Sequence, residues 1–437
     1  MSRTLTAELA LDRDIARAQR GRRARLAGWW VAVAGLTVLA ALACYVVLEL
    51  PSHSAADVTH YKYWTQHVAM NGLSAAYSGT YPETSAIYPP VTMYGYRAVG
   101  WVYMRYVDPV FDRQMALASH TLTVLTKLVA VLPYLVGIPI IFGLLTAYAR
   151  PAVAFLIAAG YGLNPAGIFD AAFWGQPDAV HAIFLLIAIW LIEKDRPVAA
   201  GLFVGLAAAT KPQAWALFPF LGYVCLRRFG IARSVALGTT AAVAALVVCL
   251  PYLVYGTFDE LLRLPKLIAD TMPVASANAH NIWWIATNAK PDFVPDAAPF
   301  VESITYRQAA LGLALLIMGY GIWRTNPWAS RGGLAVLAAY LAFGWFMVTT
   351  RAHENHAFMV LPLLAMALPR SRFLGLAFAV ITLTLFLNMT LHDFGLEPRW
   401  IAAFGQENWV RLQLANAWTN VALLLAWTAW LWRYGRG

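Results

Sequence analysis

The chain has 437 residues, of which 60% are hydrophobic and 12% charged, and its mean hydropathy is +0.58. A soluble domain carries about twice that share of charged residues, so the composition excludes an ordinary soluble protein and predicts an integral membrane protein. The formal net charge of +10 does not indicate a nucleic-acid partner. Basic residues concentrate at 3–25, just before the first apolar run, which is typical of a cytoplasmic segment that faces anionic lipid.

The first apolar run, residues 27–50, is long enough to span a membrane. A secretory signal peptide would have an apolar region of about 7 to 15 residues and a small-residue cleavage site. We therefore expect an uncleaved anchor. Residues 1–26 are predicted to form a cytoplasmic, basic, interfacial segment, and residues 27–437 a single transmembrane domain.

Apolar runs along the chain predict an all-α polytopic membrane protein with about twelve transmembrane helices, within a range of about eleven to thirteen. Several runs, such as 197–210 and 357–369, are too short to cross alone. The predicted spans are 27–50, 120–148, 151–169, 178–193, 197–210, 212–226, 234–255, 306–323, 332–350, 357–369, 373–391 and 414–432.

The connectors between these runs differ in charge and length. With a cytoplasmic N-terminus, the short arginine-bearing connectors and the C-terminus fall on the cytoplasmic side, as the positive-inside rule requires. The long loops 51–119, 256–305 and 392–413 then fall on the outer face. The polar stretches 174–179 and 349–358 fall there too. Polar residues gathered at one face of a membrane predict a lined cavity.

The first outer loop is predicted to carry interfacial helices. On a helix, Asp57, Tyr61 and Trp64 share one stripe, and His60 lies beside it. A carboxylate beside aromatic rings is suited to act as a general base. The alternative is an interfacial helix whose start Asp57 caps. Further along the loop, Tyr88 belongs to a set of tyrosines that offer flat surfaces to a sugar or to the membrane interface.

Two more polar stretches interrupt apolar runs. Gln176 and Asp178 lie at a Gly-Gln-Pro turn before a helix. Asp178 is either a first-turn carboxylate or, with His181, half of a metal site, and two ligands alone do not make a site. Lys211, at the outer end of a short span, either extends to the lipid headgroups or meets an anion in the cavity.

The stretch TTRAHENHAF, residues 349–358, lies between two uncharged runs. A zinc protease would place its histidines four apart as HExxH, whereas His353 and His356 are three apart, so we give zinc hydrolysis little weight. Arg351 and the two histidines suit a phosphate oxyanion. Glu354 is suited to orient one imidazole.

Together these motifs resemble the GT-C superfamily of polytopic glycosyltransferases, and most of all bacterial mannosyltransferases related to the second GPI-anchor mannosyltransferase. The resemblance rests on WGQPD at 174–178, GLAAATKPQAWALFP at 205–219 and TRAHE at 350–354, with DVTHYKYW and IYPP in the first outer loop. It implies a GT-C fold in the bacterial inner membrane. Asp57 then matches the catalytic base, and TRAHE belongs to the donor-binding region. Relatives often continue HERY where this chain has Asn355 and His356.

The resemblance implies transfer of a hexose, with mannose favoured, from a polyprenyl-phosphate donor to an acceptor hydroxyl on the outer face, with inversion. Arg351, His353, His356 and Lys211 would bind the donor phosphate; Glu354, Gln176, Asp178, His60, Tyr61, Trp64 and Tyr88 would orient substrate. Neither a metal nor another cofactor is expected. The partners would be membrane lipids, the lipid-linked donor and a glycolipid, glycan or protein acceptor. The alternatives are a lipid or polysaccharide transporter or flippase, and a ligase or polymerase of lipid-linked glycans.

Overall fold

The computed structural model describes residues 26–50, 55–289, 294–326 and 332–434. The predicted cytoplasmic segment 1–26 lies outside these ranges except for Leu26. The described chain is mostly helical. The α-helices are α1 Leu26–Leu48, α2 Ala55–Asn71, α3 Pro90–Tyr106, α4 Arg113–Ala118, α5 His120–Leu145, α6 Pro151–Gly162, α7 Pro165–Ile168, α8 Asp178–Glu193, α9 Pro197–Ala208, α10 Phe218–Val254, α11 Phe258–Thr271, α12 Ile282–Ala286, α13 Tyr306–Arg324, α14 Gly333–Val348, α15 Val360–Ala367, α16 Arg372–Leu391, α17 Glu397–Phe404 and α18 Gln406–Tyr434.

The all-α prediction needs one correction. Two short strands, β1 Pro299–Val301 and β2 Ile304–Thr305, form an antiparallel hairpin in the loop predicted at 256–305. The hairpin leads into α13, whose start Thr305 and Gln308 stabilise as a capping box. This loop therefore enters the helical bundle through a defined turn.

Among the described residues, four helices are long and apolar enough to cross a membrane, or five if one bent pair counts as a single span. The predicted number of about twelve transmembrane helices is not confirmed. Helices α9 and α14 have 12 and 16 residues. At about 1.5 Å per residue they fall short of an apolar layer about 30 Å thick, although their residues are apolar. The chain is a multi-pass membrane protein whose remaining apolar helices are short.

One predicted span is broken, and two others join in a single kinked helix. The span 151–169 divides into α6 and the segment Pro165–Trp174, bent by 45°; the side chain of Asn164 caps the second part. Conversely, the runs predicted at 212–226 and 234–255 join in α10, which kinks at Gly230, where φ is +75°. Only glycine adopts that backbone conformation readily.

Helix α2, predicted to be interfacial, is packed by protein. It lies against α3 and α5, and its Tyr61 and Trp64 are buried. Its Lys62 donates hydrogen bonds to the carbonyls of Leu117 and Ser119 at 2.8 and 3.0 Å. This packing fixes the helix that carries Asp57.

Residues 272–281, which we call the strap, run from α11 toward α12 and pair with the stretch 350–354. The backbone N–H of Arg351 donates to the carbonyl of Val274 at 2.9 Å, and that of Ala277 donates to the carbonyl of Ala352 at 2.9 Å. Arg351 has φ of +61°, a conformation that costs energy in a non-glycine residue. The strap therefore determines how TRAHE faces the cavity.

Candidate active site

A cavity of about 1180 Å³ opens between the first outer loop, the strap, the 350–356 stretch and the start of α18. Nine of the residues predicted for the site line it: Asp57, His60, Tyr88, Gln176, Lys211, Arg351, His353, Glu354 and His356. The other three, Tyr61, Trp64 and Asp178, are buried behind its wall. The structure thus brings together four separate stretches of the sequence.

The carboxylate of Asp57 is held by the WGQ turn. Its Oδ2 accepts hydrogen bonds from Trp174 Nε1 at 2.9 Å and from Gln176 Nε2 at 2.8 Å. Burial raises the pKa of Asp57, against the opposing effects of nearby imidazoles and of the indole bond. A fixed, partly desolvated carboxylate with a raised pKa has the properties of a general base.

The turn that presents these donors depends on Gly175. The preceding segment Phe169–Trp174 is a short π-helix, and Gly175 follows with φ of +86°. A Cβ at this position would lie 2.9 Å from Cγ of Lys127. A larger residue would therefore push the indole and amide donors away from Asp57.

Tyrosines support the same amide from the other side. The hydroxyl of Tyr88 donates to Oε1 of Gln176 at 2.8 Å and lies 3.3 Å from the hydroxyl of Tyr61. The indole N–H of Trp64 donates to the carbonyl of Pro82 at 2.8 Å. Tyr61 and Trp64, predicted to contact substrate, instead pack the layer behind Tyr88.

Lys211 and Asp178 form a buried ion pair, with Nζ and Oδ1 separated by 2.7 Å and both side chains no more than 3% exposed. Lys211 also donates to Oε1 of Gln176 at 3.2 Å. The other oxygen of Asp178 accepts from Asn355 Nδ2 at 2.5 Å. Asp178 therefore neutralises and orients Lys211, which corrects its predicted contact with substrate.

Arg351, predicted to bind the donor phosphate, is paired with a carboxylate. Its Nε lies 2.7 Å from Oδ2 of Asp296, and its Nη1 donates to the carbonyl of Ala269 at 2.7 Å. Arg307 binds the other oxygen of Asp296 at 2.7 Å. Although burial opposes it, these hydrogen bonds lower the pKa of Asp296. Arg351 thus joins the two segments that flank the strap, α11 and the loop of Asp296, and lines the cavity at the same time.

His356 does not supply the predicted cation. Burial lowers its pKa well below the usual value, with nearby His353 and Lys211 acting in the same direction. Its Nδ1 accepts from the backbone N–H of His353 at 3.2 Å, and its Nε2 lies 2.6 Å from the side-chain amide of Gln213. Because Nδ1 accepts this backbone hydrogen, a neutral ring carries its own hydrogen on Nε2.

His353 and Glu354 complete this wall. Nδ1 of His353 lies 3.7 Å from Oε2 of Glu354, and the His353 side chain is 38% exposed. Oε2 of Glu354 is buried and has no hydrogen-bond partner within the described residues. A separation of 3.7 Å is too long for a hydrogen bond, so the orienting role of Glu354 stays a prediction, and His353 is partly exposed at the cavity.

Sequence reasoning missed three groups. Gln213 lies inside the quoted KPQ motif, and Trp174 begins the WGQ motif, so both could have been found from the motifs themselves. Asp296 had no signal, because it lies in a loop without a recognisable pattern. Within the described ranges, no group of three His, Cys, Asp or Glu side chains could hold a metal ion. In the pair considered as half of a metal site, Nδ1 of His181 lies 3.9 Å from Oδ1 of Asp178.

Comparisons with known proteins give limited similarity. No protein-family profile matches the chain, and no curated protein matches it. Among solved structures, the chain is similar to the apo form of the oligosaccharyltransferase of Archaeoglobus fulgidus, at 13% sequence identity and a TM-score of 0.40, over 92% of this chain and 56% of that one. The chain therefore spans little more than half the length of that protein.

Proposed function

We propose that this chain is a membrane glycosyltransferase of the GT-C type that uses a polyprenyl-phosphate sugar. It would transfer a hexose, with mannose favoured, to an acceptor hydroxyl on the outer face of a bacterial inner membrane, across a bundle of about twelve helices that includes the short apolar ones. One observation carries the proposal. Asp57 is held by Trp174 and Gln176 at the wall of a large cavity that Lys211 and Arg351 also line.

In the proposed reaction, Asp57 takes the proton of the acceptor hydroxyl, and the acceptor oxygen bonds to the anomeric carbon from the face opposite the phosphate. The bond between that carbon and the phosphate oxygen breaks, and polyprenyl phosphate leaves with its electron pair. Attack opposite the leaving group inverts the anomeric configuration. Burial raises the pKa of Asp57, which makes its ionised form a stronger base.

The leaving phosphate needs donors, and the contacts of the four predicted residues support a ranking among them. His353 is exposed to the cavity, and Arg351 has five N–H groups, of which its bonds to Asp296 and Ala269 use two. Lys211 is shared with Asp178 and Gln176. We therefore assign the phosphate first to His353 and Arg351, with Lys211 acting through Gln176 and His356 as a neutral hydrogen-bonding group.

The cavity also has an apolar side, which supports a lipid-linked donor. Leu311, Leu315 and Met318 of α13 line it, together with Trp345 of α14. Leu311 and Leu315 are 60% and 55% exposed. An apolar wall beside a polar pocket suits a prenyl chain whose phosphate lies at Arg351 and His353.

The proposal is tested with purified protein in liposomes and a panel of polyprenyl-phosphate-linked mannose, glucose, galactose and arabinose. We expect donor-dependent protection from heat, and hydrolysis or transfer with at least one sugar. Asp57→Asn should retain the protection and lose turnover. Turnover retained in Asp57→Asn, or translocation of the lipid without cleavage, would contradict the proposal. Loss of turnover with a chelator and recovery with a divalent ion would overturn its metal-free form.

A further inference from the structure

A second polar wall lies in the same cavity, away from the motifs that predict the site. It consists of Trp284, His392, Trp409 and Gln413, which we call the Gln413 wall. These residues come from α12, from the end of α16 and from α18, so the loops predicted at 256–305 and 392–413 build it. The proposed chemistry at Asp57 uses none of them.

Gln413 lines the cavity, and its amide has no hydrogen-bond partner among the described residues. The residue is 0% exposed, and neither its Nε2 nor its Oε1 has a hydrogen-bond partner among the residues that the structure describes. Nε1 of Trp284 is also buried and has no hydrogen-bond partner among the described residues. Buried polar groups without partners are costly and therefore uncommon. An amide offers two donors and an acceptor oxygen to whatever enters the cavity.

Flat rings line the same cavity as this amide. The rings of Trp284 and His392 have centroids 5.2 Å apart and are nearly perpendicular, and those of His392 and Trp409 are 6.1 Å apart. The indole N–H of Trp409 donates to the carbonyl of Leu391 at 3.2 Å. Rigid ring faces beside a bidentate amide suit a ligand that has both C–H surface and hydroxyls.

The charge of this wall argues against an anion. Nε2 of His392 lies 3.0 Å from Nε2 of His280. Burial lowers the pKa of His392 to about 3 and that of His280 well below its usual value, so both rings are neutral at pH 7. The charged side chains that line this end, Asp393 and Glu397, are carboxylates. A phosphate is therefore disfavoured here and a neutral polyhydroxyl group is favoured.

We propose that the Gln413 wall binds a sugar ring, with Gln413 and Trp284 bonding its hydroxyls and the indole and imidazole faces contacting its C–H surface. This inference rests on the proposed function for the origin of the ring. The sugar belongs either to the acceptor glycan or to the lipid-linked donor. Binding of a sugar to this wall does not itself require transfer.

The test is saturation-transfer NMR with methyl glycosides of mannose, glucose, galactose and arabinose, on full-length protein in a detergent without a sugar headgroup. At least one glycoside should bind the wild type, and Gln413→Leu should weaken it about tenfold, the loss expected for one or two hydrogen bonds. The matched control is Gln114→Leu, because Gln114 is exposed in α4 and outside the cavity. It should bind as the wild type does.

The stability of Gln413→Leu separates binding from a structural role. Replacing an unpaired amide by an apolar group should leave the melting temperature unchanged or higher. If this variant does not fold, Trp284→Phe removes the other donor while keeping a ring, and it should weaken glycoside binding several-fold. Equal binding by a folded variant and the wild type, or no binding of any glycoside to the wild type, would overturn the proposal.

Competition identifies the source of the ring. If a sugar-bearing polyprenyl phosphate displaces the glycoside and sugar-free polyprenyl phosphate does not, the wall binds the donor sugar. If neither displaces it, the wall binds the acceptor. If a glycoside binds in a Gln413-dependent way but no transfer occurs, sugar binding at the Gln413 wall is supported and the proposed glycosyltransferase function is contradicted. If the protein transfers a sugar but shows no Gln413-dependent binding, only the proposal of sugar binding at the Gln413 wall is contradicted.

Discussion

The indole N–H of Trp174 donates to Oδ2 of Asp57 at 2.9 Å, across 117 positions of sequence. This bond joins the WGQ turn to the first outer loop. It stabilises the ionised carboxylate against the burial that raises the pKa of Asp57. The indole, together with His353 and His60, therefore opposes the effect of burial on the pKa of this carboxyl.

Trp174→Phe should move the acidic limb of the pH dependence of kcat/KM to higher pH. A hydrogen bond to a charged group contributes about 1.5–3 kcal/mol, so the shift should be about one to two pH units. The sign follows because losing the bond raises the pKa of Asp57, and activity requires the deprotonated form. The control is Trp101→Phe, since Trp101 is 62% exposed. An unchanged limb would remove Trp174 from the tuning of Asp57.

The ion pair of Lys211 and Asp178 should behave as a unit in thermal unfolding. Lys211→Met alone leaves a buried carboxylate unpaired and should cost about 3–5 kcal/mol. The double variant Lys211→Met with Asp178→Asn should recover most of this loss. Full additivity of the two single changes would contradict the coupling. If the stable double variant also binds polyprenyl phosphate normally, Lys211 serves Gln176 alone and does not contact phosphate.

Arg351→Met should loosen the strap. Because Arg351 binds both Asp296 and the carbonyl of Ala269, its loss should raise hydrogen–deuterium exchange at residues 274–278. The control is Arg307→Met. The Arg307 side chain is 56% exposed, so its ion pair should contribute less than about 1 kcal/mol to the free energy of unfolding. Weaker donor binding with unchanged exchange would instead make Arg351 a direct phosphate ligand without a structural role.

The sequence predicted well the residues that gather at the cavity, because motifs with polar groups between apolar runs have few other places to lie. Asp57, Gln176, Lys211 and the 350–354 stretch therefore meet as expected. What each side chain contacts could not be read from the sequence. Arg351 resembled a free cation until Asp296, in a loop without a pattern, was seen beside it.

The long apolar helices of the fold were predictable from the sequence, whereas the short elements were not. The apolar runs of α1, α5 and α16 gave helices with bounds close to those expected. Hydropathy alone could not separate spanning helices from short apolar ones such as α9, because both consist of the same apolar residue types. The short hairpin of β1 and β2 was not recognised in the sequence, and the Gln413 wall could not be, since it depends on contacts between distant loops.

The buried imidazoles predict a specific sensitivity to acid. Burial lowers the pKa of His392 from 6.5 to about 3. Below about pH 6.5 the unfolded chain binds a proton at His392, whereas the folded chain does not. The contribution of His392 to the free energy of unfolding is therefore fully present above pH 6.5 and decreases as the pH falls. Relative to His392→Asn, the wild type should lose about 2 kcal/mol of unfolding free energy between pH 6.5 and 5. Comparing the two proteins cancels the effects of other titrating groups. His120→Asn, at a histidine whose side chain is 64% exposed, is the matched control and should follow the wild type. Parallel stability curves for the wild type and His392→Asn, measured by thermal unfolding from pH 8 to pH 5, would show that His392 takes up its proton in the folded protein.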